Sequence, residues 1–595
     1  MLKPDRSELD YFELVKKAKL LAPSAGKSLK LALLADVSTQ HLVPLLRALF
    51  ASNGMQVEIY EAGFDTVELE VLDPASGLYA FGADVVVILQ STVWLKYKYF
   101  NASGDRSAFA RDRASRIEDV WKTIRAHSGA HIVQSTFVLP YERPFGNYGT
   151  EVPDTIVAVV SEVNREICLR AKENAGVLVN DLDYLAGWVG RRHFIDEKLW
   201  ALSKSLCALD LLPDVAQNIV DIVLATQGRA VKCVVLDLDN TMWGGVVGDD
   251  GLEGIQLGDS DDTGAFRSFQ LFIRELSRRG IILAVCSKNN DAVARKAFSE
   301  HPGMVLRLED IAVFVANWDD KATNIRRIRD KLNIGLDSMV FLDDNPFERN
   351  LVRQLVPEVI VPELPEDPGL YVRAISELNI FEAASHSALD AERGQLYREQ
   401  EQRDDERSRF QSLDDYLRSL ETVARVAHFE RPDLPRIAQL LQRSNQFNLT
   451  TRRYSESECA GMMEDANCFP FSITVRDRYG DFGLINIVIP RRVDAVLEVD
   501  TFVMSCRVLQ RGVEQLAMNK VFYLARQAGC EAVEGRYIPS AKNSMVKDFY
   551  QRFGFQQVAA ASASDGTTWR LNLSDYVPRE IHIREVATFD RGGAQ

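Results

Sequence analysis

The chain has 595 residues with a formal net charge of -15, and 46% of its residues are hydrophobic. That balance argues against a general nucleic-acid surface, which needs positive charge to displace counterions, and the length suggests about three or four domains. No apolar run reaches the ~18 residues of a membrane span, the charged start 1–10 lacks a signal-like apolar core, and the eight cysteines form no C-x-x-C pair, so a cytoplasmic enzyme with reduced thiols is expected.

Residues 1–228 read as an α/β domain. Strand candidates lie at 29–34, 57–60, 83–89 and 131–133, with helical periodicity between them. The first leads into Ala35-Asp36-Val37-Ser38, which sets a hydroxyl just past a strand end. No Asp-x-x-His follows near the end of the segment: Asp196 is followed three places on by Leu199, and His193 precedes it. A hydroxyl without a base is a weak nucleophile, so a non-catalytic binding domain is expected here, with a hydrolase acting through Ser38 as the alternative.

Residues 229–375 carry the densest chemistry. Val234-Val235-Leu236 delivers Asp237 and Asp239 to a strand end, with Thr241 just after. Positions i and i+2 of a strand share a face, and crowded carboxylates repel unless a cation lies between them. A break in the strand after Asp237 would free Asp239 to point elsewhere or to offer its carbonyl. A second apolar run, 281–285, ends at Cys286-Ser287-Lys288-Asn289, and a third, 339–342, ends at Asp343-Asp344-Asn345-Pro346. Lys321 follows Trp318-Asp319-Asp320 and opens a helical pattern. Apolar runs that alternate with helices predict a parallel sheet, whose ligands bind beyond the carboxyl ends of the strands. Carboxylates, a hydroxyl and a lysine in one crevice suit phosphoryl transfer, and oxygen ligands suit Mg²⁺.

These residues resemble the four motifs of the haloacid dehalogenase (HAD) phosphatases. The resemblance implies Asp237 as the nucleophile, Asp239 as the general acid/base, Ser287 and Lys321 as phosphate-binding groups, and Asp237, Asp239, Asp343 and Asp344 as the Mg²⁺ site. The extension Thr241-Met242-Trp243-Gly244-Gly245-Val246-Val247-Gly248-Asp249-Asp250-Gly251 is similar to the HAD-IIIC subgroup known as FkbH-like proteins. So are Cys286-Ser287-Lys288-Asn289-Asn290 and Phe341-Leu342-Asp343-Asp344-Asn345-Pro346-Phe347. In long FkbH-like proteins the HAD domain follows an SGNH-hydrolase-like domain, whose layout residues 1–228 resemble.

Residues 376–422 mix charges of both signs along a helical pattern, as a solvent-exposed linker does. Residues 423–575 read as an α+β domain, with an amphipathic helix at 434–441, strands at 471–475, 484–489 and 496–504, and a tail at 576–595. Cys506-Arg507-Val508-Leu509-Gln510-Arg511-Gly512 then opens a helix, and a glycine turn at a helix start can present N–H groups to a pyrophosphate. This segment, with Asn543 and Tyr550 downstream, resembles the acyl-CoA site of GNAT acyltransferases. Gln510 stands where the family has a glycine, so a carrier-borne pantetheine is expected over Arg507, Gly512, Asn543 and Tyr550 in place of coenzyme A.

The chain is therefore expected to be α/β, with an SGNH-like domain (1–228), a HAD Rossmann-like domain (229–375), a helical linker (376–422) and a GNAT-like domain (423–575). The resemblance implies an enzyme that takes 1,3-bisphosphoglycerate, removes phosphate and leaves a glyceryl unit on an acyl carrier protein for polyketide or related synthesis. Nucleic acid and membrane are not expected partners. Cys286 or Cys506 is the candidate acyl-carrying thiol, although buried cysteine is more often a small hydrophobe. A plain HAD phosphatase with docking domains, or a GNAT acyltransferase with an accessory HAD unit, are the alternatives.

Overall fold

The computed structural model of the protein describes residues 9–21, 28–102, 106–258, 264–384, 410, 412–444, 447–505, 508–509, 511–540, 543–558 and 566–586. Cys506, Arg507 and Gln510 lie outside the described residues, as does most of the expected linker. Among the described residues no helix is long and apolar enough to cross a membrane.

The first sheet has five strands in the order β2-β1-β3-β4-β5: β1 (Leu29–Ala35), β2 (Val57–Glu61), β3 (Val85–Leu89), β4 (His131–Ser135) and β5 (Val177–Asn180). Every neighbouring pair is parallel. Parallel sheets are covered on both faces, which is why their strands read as continuous apolar runs. The two faces of β1 show this. Leu31 and Leu33 pack with helices Leu42–Ser52 and Leu212–Thr226, whereas Ala32 and Leu34 pack with helices Phe109–His127 and Ile156–Glu173. β5 is the strand that the sequence reading did not find. Its burial alternates, as expected for the outermost strand.

The second sheet has the order β8-β7-β6-β9: β6 (Cys233–Leu236), β7 (Ile282–Ser287), β8 (Ile311–Ala316) and β9 (Met339–Leu342). β6 pairs with β7, and β7 with β8, in parallel. Three of these strands are the expected apolar runs. The fourth, β8, is a further run whose end leads to Asp319, Asp320 and Lys321.

The third sheet is mixed and has eight strands in the order β15-β16-β14-β13-β12-β11-β10-β17. They are β10 (Val423–His428), β11 (Phe471–Asp477), β12 (Gly480–Val493), β13 (Val496–Met504), β14 (Ala532–Tyr537), β15 (Gln556–Val558), β16 (Thr567–Asn572) and β17 (Arg584–Glu585). Helix Val513–Gln527 packs its buried face into the core of this sheet. The first part of the expected tail is built into this domain. Tyr576 stacks on Phe522 with ring centroids 3.7 Å apart, and β17 pairs with β10.

β13 and β14 pair in parallel only from Val496↔Ala532 to Val499↔Gly535, although β13 runs on to Met504. The gap beyond is filled by the chain itself. Met504 N donates to Phe447 O (3.0 Å), Leu449 N donates to Phe502 O (3.3 Å), and Asn448 bridges Val503. On the far side Ile538 N donates to Leu449 O (2.8 Å). Residues 447–449 thus form a short inserted strand along an edge that would otherwise carry unpaired main-chain groups.

Candidate active site

β6 ends at Leu236, and the chain then turns sharply. Asn240 adopts the left-handed region (φ 55°) and its Oδ1 accepts from Gly245 N at 2.9 Å. Asparagine tolerates that conformation because its short polar side chain bonds locally. The turn leaves Asp237 at the strand end and swings Asp239 elsewhere. Asp239 Oδ1 accepts from Trp243 Nε1 (2.9 Å) and Val247 N (3.0 Å), and Oδ2 accepts from Asn289 Nδ2 (2.7 Å).

Lys321 starts helix Lys321–Leu332, whose N-cap Asp320 accepts from Thr323 N at 2.8 Å. Lys321 is 2% exposed, and its Nζ donates to Asp237 Oδ1 (2.5 Å) and to Cys286 O (2.8 Å). The end of β7 thereby fixes the ammonium against Asp237. A buried ammonium is costly unless it is paired and hydrogen-bonded, and this one is both. Ser287, the last residue of β7, is also buried.

Past β9, Asn345 N donates to Asp343 Oδ1 (2.8 Å), and Asn345 caps helix Pro346–Leu355. Arg349, on that helix, donates to the carbonyls of Asp343 (2.8 Å) and Asp344 (2.6 Å) and pairs with Glu363 (2.7 Å). The guanidinium holds the acidic turn in place. Asp237, Asp343 and Asp344 each offer a carboxylate oxygen, all within 4.8 Å of one another. This donor set is oxygen only and fits a hard divalent cation. Asp239 is not in this group: its carboxylate takes three N–H donors, two on Oδ1 and one on Oδ2.

The structure therefore brings Asp237, Ser287 and Lys321 to one sheet end and gathers Asp237, Asp343 and Asp344 as the acidic group. It also supplies Trp243, Asn289 and Arg349, which the sequence reading did not place in the site. Arg349 follows Asp343 by six residues on the next helix, a local signal that was available. The pairing of Asn289 with Asp239 spans fifty positions and left no such signal.

Three of the expected residues are buried among other groups of the chain. Cys286 is fully buried and its Sγ faces Lys321 O at 3.8 Å, because it lies inside a strand covered on both sides. Asn543 is fully buried. Its Nδ2 donates to Asn448 O and Ile538 O, both at 2.9 Å, and its Oδ1 accepts from Ser540 N at 2.7 Å. It ties the inserted strand to the chain after β14 and has no capacity left for a pantetheine. Tyr550 is buried against Gly535, where a Cβ would meet the ring at 2.1 Å, and burial raises its phenol well above the usual range. Gly512 caps helix Val513–Gln527 in the left-handed region (φ 85°), and Ile581 and Ile583 pack against it.

At the end of β1, Asp36 accepts from Ser91 N (2.6 Å), and burial pushes its carboxyl up to about 7. Ser38 N donates to Lys204 O (2.9 Å). His193 bonds Asp210 at the surface. Among the described residues no histidine is hydrogen-bonded to Ser38.

Residues 30–224 match a family model described as FkbH, N-terminal domain. The N-terminal part of the protein BF1531 from Bacteroides fragilis, whose crystal structure contains a phosphatase domain complexed with Mg, is 39% identical. That match covers 63% of this chain and 99% of that one, with a TM-score of 0.59. The ribosomal-protein-S18-alanine N-acetyltransferase from Escherichia coli matches 25% of this chain and 94% of its own at 14% identity, with a TM-score of 0.21. Among curated proteins, none matches.

Proposed function

Because this chain belongs to the FkbH-like proteins, a family with a phosphatase domain, we propose that it acts on 1,3-bisphosphoglycerate in two places: the carrier thiol attacks the acyl carbon, so that the C–S bond forms as the bond to the acyl phosphate oxygen breaks and that phosphate leaves, and the Asp237 site removes the ester phosphate, leaving a glyceryl unit on the acyl carrier protein. The observation that carries the phosphate chemistry is the contact of Lys321 with Asp237 at 2.5 Å, which joins a nucleophile to a cation for phosphate oxygens. In the first step an Asp237 oxygen bonds phosphorus as the bond from phosphorus to the leaving oxygen breaks, and Asp239 gives that oxygen a proton. In the second step water attacks phosphorus, its proton passes to Asp239, and the bond from phosphorus to Asp237 breaks to release phosphate.

Asp237, Asp343, Asp344 and the Asp239 carbonyl would hold Mg²⁺, which neutralises phosphate charge when bound. Lys321 and Ser287 orient the phosphoryl group from the β7 side. A plain phosphatase is the second reading, favoured by the burial of Cys286, which removes a thiol relay at the catalytic strand end. Intact-mass spectrometry of a carrier protein incubated with enzyme, Mg²⁺ and 1,3-bisphosphoglycerate separates them. A glyceryl adduct on the carrier is expected, and free phosphate without adduct would favour the plain phosphatase.

A further inference from the structure

We infer that the first domain binds a small carboxylate at the carboxyl ends of β1 and β3, where the guanidinium of Arg113 receives it; this does not rest on the phosphatase reading. The sheet order β2-β1-β3-β4-β5 reverses direction between β1 and β3, and open α/β sheets bind ligands in the crevice beyond such a switch point. Ala35 and Leu89 are register partners at the two strand ends, so the next residues, Asp36 and Gln90, stand side by side. Alternate strand positions share a face. Ala32 and Leu34 of β1, and Val86 and Ile88 of β3, pack with helix Phe109–His127, and Asp36 and Gln90 continue those two rows. The same helix carries Arg113 between Ala110 and Ile117, on its buried stripe.

Arg113 is 7% exposed, yet among the described residues its five N–H groups make no hydrogen bond. Its ion-pair partner is the solvent-exposed Glu68, with Nη1 3.8 Å from Oε1, beyond hydrogen-bond reach. A buried guanidinium is costly unless paired and hydrogen-bonded, and its planar fork of donors matches a carboxylate. Gln90, 8% exposed, also has no hydrogen bond among the described residues, and its Oε1 is closed off without a partner. Its Nε2 is the end that can donate to a ligand. Asp36 is held through Oδ1 by Ser91 N at 2.6 Å, and burial pushes its carboxyl up to about 7, so below that pH it adds a neutral O–H and not a competing charge. Donors without acceptors are the complement of an oxyanion. Asp65 and Glu68 also face Arg113, and their carboxylates oppose a second negative charge on the ligand. That favours a carboxylate over a doubly charged oxyanion.

Calorimetric titration of the full-length protein with sodium acetate, at pH 6 in EDTA and against sodium chloride of equal ionic strength, should show one binding event. Arg113→Met keeps the stem and removes the fork, and should weaken acetate binding by about 30–100-fold. Gln90→Leu should weaken it by about 5–20-fold and serves if the first variant does not fold. Sulfate, which carries two charges, should bind at least about tenfold more weakly than acetate. Without acetate, Arg113→Met should melt no lower than the parent, because it removes a buried charge that nothing pairs closely. Four results would each overturn the proposal: no acetate binding by the parent, unchanged binding by folded Arg113→Met, sulfate bound as tightly as acetate, or a lower Tm of the unliganded Arg113→Met protein, which would make the Glu68 pair structural.

Discussion

The end of the second sheet and the gap in the third are both places where strands stop pairing and polar groups collect, and they use those groups in opposite ways. At β6 the turn through Asn240 leaves Asp237 on the crevice side, tied only to a lysine that a phosphate can also engage. Between β13 and β14 the amide of Asn543 and the main chain of residues 447–449 are bonded to one another and fully buried. A site needs polar capacity held in position but not consumed. The crevice retains it, whereas the amide of Asn543 spends its own on the chain around it.

The largest effect expected from breaking this contrast falls on the crevice. Asp237→Asn keeps the shape and removes the attacking charge, so phosphate release should drop by about 10⁴-fold or more, with an unchanged circular-dichroism spectrum. Chelation by EDTA should produce a loss of comparable size that added Mg²⁺ reverses. A folded variant with near-normal turnover would end the HAD assignment.

The reverse outcome is expected in the gap. Asn543→Ala strands the carbonyls of Asn448 and Ile538 and the N–H of Ser540, at a cost of roughly 3 kcal/mol or more from unpaired buried groups. The urea midpoint of the C-terminal domain should fall, while turnover of a small phosphate by the folded protein stays within a factor of about two. A variant that is as stable as the parent would show that the inserted strand does not hold the domain together.

A subtler effect belongs to Asp36, which stands between the two cases. Its carboxyl rises from 3.8 to about 7 because burial disfavours the charge, an effect that outweighs the opposing Ser91 hydrogen bond. The native state therefore keeps the proton while the unfolded chain releases it above about pH 4. Stability is fully present at pH 4 and is lost as pH rises toward 7, by up to about 4 kcal/mol. Asp36→Asn cannot ionise and should gain Tm relative to the parent at pH 8 but not at pH 4. The same Tm difference at both values would contradict a buried, protonated Asp36.

How much of this was legible follows one physical divide. Apolar runs leading to Asp237, to Ser287 and to Asp343 were readable because both faces of a covered parallel strand must be apolar. The placement of Lys321 followed from its position at a helix start. What the sequence hid are contacts between segments far apart in the chain. Asn289 reaches Asp239, and Asn543 reaches Asn448, and no periodicity encodes either. Asn543 and Tyr550 were read as ligand groups because buried polar residues near a glycine-containing turn look alike whether they face a ligand or the chain's own backbone. Cys286 and Ser287 are adjacent in a strand and so point to opposite faces, yet both are buried here, which local pattern could not show.

The inserted strand also sets an order in which the C-terminal domain can be completed. Residues 447–449 are made early, but their partners are Phe502 to Met504, Ile538 and Asn543, the last of them 95 positions downstream. Until the chain has been synthesised past Asn543, this edge of β13 has nothing stable to close it. Closing so long a loop costs little extra entropy per added residue but must wait for the far end to exist. A nascent or recombinant chain that stops between Met504 and Asn543 would present an open strand edge, the feature through which partly made β-domains associate. Fragments of this protein should therefore end before β10 or run past residue 586.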